Sequence, residues 1–177
     1  AQVKLTLDRM ARGGIYDQIG GGFARYSTDM DWKVSHFEKM LYDNAQLLQL
    51  YSEGFGAFED PEYRIVADGI KLWLWREMKH PEGGYCSALD ADSEGVEGLY
   101  YTWPRDLSDL NSDLKRAFER LYITDQRAVW EGRLIALRKG GLTQLADAAA
   151  EPFDEWVEEY RETNGALYRV REKRVRP

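Results

Sequence analysis

Apolar residues along the first half of the chain recur at helical spacing, in stretches broken by glycine and proline. Val3, Leu5, Leu7, Met10 and Ala11 make a first short helical pattern, which Gly13-Gly14 ends. From Ser35 to Phe58, Phe37, Met40, Leu41, Leu47, Leu48, Tyr51 and Phe55 trace a wide apolar stripe, and Ser35 with Glu38 has capping-box spacing. Asp60-Pro61 predicts the start of another helix running to about Met78, with Ile65, Val66, Ile70, Leu72, Trp73 and Trp75 inward. Two long helices joined by so short a connection predict an antiparallel αα-hairpin.

Beyond His80-Pro81 the pattern changes. Tyr85–Ser87 and Leu99–Trp103 read as short strands flanking the acidic loop ALDADSEGVEG, and their pairing predicts a small β-hairpin. Ser112–Tyr122, Thr143–Ala149 and Pro152–Thr163 read as helices, the last with Phe153, Trp156, Val157 and Tyr160 on one side. Arg133–Leu137 reads as a strand, and the basic end REKRVRP as a frayed tail. The expected fold is mainly α: a domain over residues 1–170 with a tail at 171–177.

Composition narrows the function classes. The chain has 177 residues, 44% of them hydrophobic, which is enough to bury a core. Its formal net charge of −7 disfavours nucleic acid and anionic membranes as partners. No apolar run approaches the roughly 20 residues that span a bilayer, and the first residues lack a signal peptide's apolar centre. A single cysteine, Cys86, fits a reducing, cytoplasmic compartment and is expected in the core.

The glycine-rich segment GGIYDQIGGGFARYSTDMDW lacks the G-K-[ST] ending of a phosphate loop, so tight turning and close helix packing is its expected role. Asp90, Asp92 and Glu94 imitate the start of a calcium loop, but Tyr101 stands at position twelve, where such a loop needs a bidentate carboxylate. Two isolated histidines and one cysteine make no zinc pattern. No metal or cofactor is expected. The densest chemistry lies between Gly20 and Asn44. On the expected helix, His36, Lys39 and Tyr42/Asp43 project from one side, and the histidine with a neighbouring carboxylate suits proton transfer.

Two long segments, GGIYDQIGGGFARYSTDMDWKVSHFEKMLYDNAQL and GGYCSALDADSEGVEGLYYTW, closely resemble signature stretches of the YyaL-type family, which includes spermatogenesis-associated thioredoxin-domain proteins. The resemblance covers most of Thr6–Trp103 and continues more weakly through EGRLIALRKG. It implies part of an (α/α)6 toroid similar to N-acylglucosamine 2-epimerases and six-hairpin glycosidases, without the family's thioredoxin-like domain and later hairpins. It also implies a cavity lined by Tyr16, Asp17, Arg25, Tyr26, Trp32, His36, Glu38, Lys39, Tyr42, Asp43, Asp90, Asp92 and Glu94. Ala24 stands where the family form GGGFHRYS has a histidine, which removes one candidate base.

The resulting expectation is a carbohydrate-binding or carbohydrate-modifying cavity. In it His36 serves as acid or base, Glu38 or Asp43 orients it, and Tyr26, Trp32 and Tyr42 stack on the sugar. The alternatives are a non-catalytic interaction module and an inactive gene remnant. An incomplete toroid leaves apolar surface bare, so a homodimer is expected. A working site predicts His36 open and paired to a carboxylate; a structural role predicts it buried against backbone.

Overall fold

The computed structural model describes residues 1–177 and is mainly α, with about half of the chain in six helices and the rest in loops and small antiparallel sheets. Helix α1 (Gln2–Arg12) ends at Gly13, as its apolar pattern predicts. An irregular glycine-rich segment then leads to strand β1 (Lys39–Met40), which runs directly into α2 (Leu41–Phe58). Glu59 takes a left-handed conformation, and the Asp60 side chain accepts from the Glu62 amide to cap α3 (Pro61–Trp73). A π-helical turn, Leu74–Met78, completes the second arm of the predicted αα-hairpin.

The helix expected from Ser35 starts only at Leu41. Residues 35–40 are extended instead: the His36 amide donates to the Tyr26 carbonyl, the Arg25 amide to Glu38, and β1 pairs with β2 (Ala88–Leu89). Phe37 has a φ of +62°, a left-handed value that no helix residue adopts. His36, Lys39 and Asp43 therefore do not share one helix face, and Ser35 caps nothing.

The acidic loop is itself the hairpin. Strands β3 (Asp92–Ser93) and β4 (Val96–Glu97) pair around Glu94-Gly95, both at positive φ, which is the geometry of a tight primed turn. The predicted flanking strands 85–87 and 99–103 do not pair with each other. Trp103-Pro104 (β5) joins a three-stranded sheet instead, in the order β5-β7-β6, with β6 at Val129–Trp130 and β7 at Arg133–Leu134. A second Glu-Gly turn, Glu131-Gly132, joins β6 to β7. Of the strand expected at Arg133–Leu137, two residues pair.

Helices α4 (Ser112–Leu121), α5 (Leu142–Ala149) and α6 (Phe153–Arg171) cover this sheet and enclose the larger core, which includes Trp103, Phe118, Tyr122, Leu134, Trp156 and Leu167. A smaller core around Leu7, Phe23, Tyr51, Tyr63 and Ile70 fixes α1 to the αα-hairpin. Leu72 and Trp75, expected inward, are 54% and 65% exposed, and Cys86 is exposed, not core. The basic end is packed: Arg171 is fully buried, and Arg174 donates to the carbonyls of Tyr100 and Thr102 over the Trp103 ring. No helix is long and apolar enough to cross a membrane.

Candidate functional site

The glycine loop is a packing device. A Cβ on Gly21 (φ +76°) would lie 2.3 Å from the Gly69 carbonyl oxygen, and one on Gly22 (φ +78°) would lie 2.7 Å from the Trp73 indole. Only glycine lets the loop lie so close to α3. The Asn44 amide locks it from the other side, accepting from the Phe23 amide at 2.7 Å and donating to the Phe23 and Met40 carbonyls.

That packing separates the predicted site residues into two groups. Tyr16, Asp17 and Lys39 are inside. Asp17 accepts two hydrogen bonds at 2.8 Å from the Arg171 guanidinium and one at 2.8 Å from the Lys39 ammonium, which also donates to the Gly21 carbonyl. Burial opposes ionisation of Asp17, but Arg171 and then Lys39 outweigh it and hold the carboxyl well below the usual carboxylate range. Burial lowers the Lys39 ammonium, so Arg171 is the stronger support of the aspartate. These charges hold the molecule together and face no open space large enough for a substrate.

Arg25, Tyr26, Trp32, His36, Glu38, Tyr42 and Asp43 remain accessible. The His36 Nδ1 lies 2.9 Å from Glu97 Oε1, and both side chains are more than a third exposed. A carboxylate only accepts, so Nδ1 is the donor of this pair, and Nε2 is the ring nitrogen left without a partner in the chain. Tyr26 stacks on the imidazole with centroids 5.0 Å apart. The expected orienting groups lie elsewhere: Glu38 takes the Arg25 guanidinium at 3.4 Å, and Asp43 makes no hydrogen bond through Oδ2.

A cavity of about 610 Å3, which neither His36 nor Glu97 lines, is bounded by Arg25, Tyr26, Trp32 and Asp43 over an apolar floor of Met10, Ile15, Ala24, Leu47 and Leu50, and Tyr26 is its link to the imidazole. Its far rim is built by Asp29, whose carboxylate accepts from the amides of Asp31, Lys33 and Val34 and thereby presents Trp32 at a φ of +61°. Asp43 sits in the first turn of α2, and its Oδ2 is buried without a partner. Burial raises the Asp43 pKa; Arg25 opposes the shift and Glu38 adds to it.

The site residue that sequence reasoning missed is Glu97. It stands opposite Asp92 across the β3–β4 ladder, and the next residue, Gly98, packs under the Phe37 ring. The legible signal was the Glu94-Gly95 turn, which sets Asp92 and Glu97 as partners. Asp90, Asp92 and Glu94 are exposed on this hairpin, with Asp90 accepting from the amides of Ala91 and Asp92. Tyr42 is exposed on α2.

No protein-family model matches the chain. Over 104 residues, 55% of this chain, it is 51% identical to spermatogenesis-associated protein 20 of Homo sapiens and 49% identical to that of Mus musculus. It is also 40% identical over 110 residues to an uncharacterised protein of Caenorhabditis elegans. The chain spans 13% of the length of the human relative and 15% of the nematode one. These matches support the family that the two long motifs resemble.

Proposed function

We propose that the cavity lined by Arg25, Tyr26, Trp32 and Asp43 binds a neutral, polyhydroxylated small molecule of the sugar class, and that the chain is part of a larger helical toroid. The observation that carries this reading is Asp43. Asp43 lines the cavity, and its side chain takes no hydrogen bond from the protein, which leaves the carboxylate available to a ligand's donor. A sugar hydroxyl is such a donor, and the Tyr26 and Trp32 rings suit the apolar faces of a pyranose. Arg25 supplies the complementary donor.

In the same reading His36 is the proton-transfer group, acting through Nε2, and Glu97 holds its tautomer and ring orientation. Epimerisation beside a carbonyl takes two opposed bases, and Ala24 occupies the position of the second. Binding, or a one-base reaction, is therefore the role we assign. A second copy of the chain would cover the exposed apolar side chains of Val3, Leu5 and Trp75.

A second reading, a docking site for another protein, has one observation in its favour: Met30, on the cavity rim, is 96% exposed.

The test is a calorimetric titration of glucose, N-acetylglucosamine and N-acetylmannosamine into wild type, Asp43→Asn and His36→Ala. Saturable binding that Asp43→Asn weakens supports the sugar site. Absence of heat with every sugar, or binding indifferent to both substitutions, sinks it.

A further inference from the structure

A second cavity, of about 320 Å3, opens between α3 and α6, away from His36. Gly20 and Gly21 floor it, and Gly69 of α3 and Gly165 of α6 form opposite walls. Gly165 is in the interior of a helix, where glycine costs about 1 kcal/mol relative to alanine. Packing does not demand it: the nearest atom to a Cβ there is the Arg169 Nη1, at 3.7 Å. The sequence keeps that space empty at a cost to the helix.

The groove also holds polar groups that the protein leaves unused. Tyr16 is 6% exposed, and its hydroxyl points at Gly69, where an added Cβ would lie 2.1 Å away; it makes no hydrogen bond within the chain. Burial raises the phenol's pKa, so it stays protonated and able to donate. The Oε1 of Gln18, another lining residue, is buried without a partner. Arg76 engages Glu77 and the Gly20 carbonyl through Nε and Nη2, which leaves Nη1 free. Arg161 is exposed, with only a 4.0 Å contact to Glu158. The one acid of the lining, Asp68, is taken by Lys71 at 2.8 Å. On a chain of net charge −7, this groove presents two guanidiniums and a buried phenol donor beside the apolar Ile65 and Leu72.

We infer that this groove between α3 and α6 is a second ligand site, for a small organic carboxylate with a flat apolar body. The body lies between the glycine walls against Ile65 and Leu72, and the carboxylate meets the free donors of Arg76, Arg161 and Tyr16. Guanidinium and carboxylate match as charge-assisted hydrogen-bonding partners, and the missing Cβ of Gly165, whose space no protein atom fills, gives a planar group its clearance.

The experiment is a titration of benzoate and phenylacetate, with benzamide as the uncharged control, followed by amide chemical shifts on labelled protein. Saturable millimolar binding is expected, with shifts at Gly20, Gly21, Gly69 and Gly165, and none with benzamide. Gly165→Leu, which fills the groove, is expected to abolish it, with folding checked by circular dichroism. Arg161→Gln, on the surface and without a fold role, is expected to weaken it about tenfold, the value of one charge-assisted hydrogen bond. No saturable binding overturns the site, as does binding untouched by both substitutions. Equal binding of benzamide overturns the carboxylate assignment.

Discussion

The Phe37 ring packs so closely on Gly98 that a Cβ there would sit 2.6 Å from its Cε2. This contact fixes the extended segment that carries His36 against the strand that ends at Glu97. The same ring stacks on Tyr101, 5.9 Å away between centroids, and tilts against Trp130. Both Phe37 and Gly98 take positive φ, so the junction combines two left-handed residues with a contact that leaves no room for a methyl group.

Gly98→Ala is therefore expected to destabilise the fold by about 2 kcal/mol, combining left-handed strain with overpacking. It should also separate His36 from Glu97. Urea denaturation reads the first effect, and the pH titration of the His36 ring protons by NMR reads the second. An unchanged midpoint and an unchanged titration would contradict the junction's role.

Asp17→Asn leaves Arg171 and Lys39 buried with little compensation, and loss of one partner from such a pair costs about 3–5 kcal/mol. The pH dependence follows from the direction of the shift. The folded Asp17 carboxyl lies below its unfolded value of about 4, so on acidification the unfolded state takes up the proton first. Its contribution is full at neutral pH and is lost as pH falls below about 4. Wild type should show that acid loss in urea midpoints between pH 6 and 3, and Asp17→Asn should show less of it.

Asp43 works in the opposite sense. Burial raises its folded pKa, so the folded state holds the proton more readily than the unfolded state, and ionisation on raising the pH costs stability. Asp43→Asn should have a denaturation midpoint at pH 7 equal to or above that of wild type, while sugar binding falls. A clear loss of stability would mean that the carboxylate serves the fold and not a ligand.

Self-association has a simple readout. Light scattering at micromolar concentration should give twice the 20.5 kDa chain mass. Introducing charge with Trp75→Glu should return the protein to a monomer. A wild-type monomer would remove the second copy as the cover of the exposed Trp75.

The helices were legible where local signals agreed. Asp60-Pro61 marks the start of α3 because cap and proline act on their own turn. Segment 35–40 was not legible, because Phe37 and Met40 stand three apart, the spacing of one helix face, while the segment folds as extended chain. Pairing with Ala88-Leu89, nearly fifty residues onward, decides between helix and extended chain. Tyr26, His36 and Asp43 lie at accessible positions. Tyr16, Asp17 and Lys39 carry the same chemistry inside the fold, and only the distant Arg171 tells the difference. Glu97 depended on the turn register.

The Asp17–Arg171 pair joins residues 154 positions apart. A ribosome must release the 154 residues that separate them before this aspartate meets its guanidinium, so the glycine loop cannot take its final form when it first emerges. Its closure awaits the final turn of α6, so the segment carrying the candidate site becomes native only after that helix has been made.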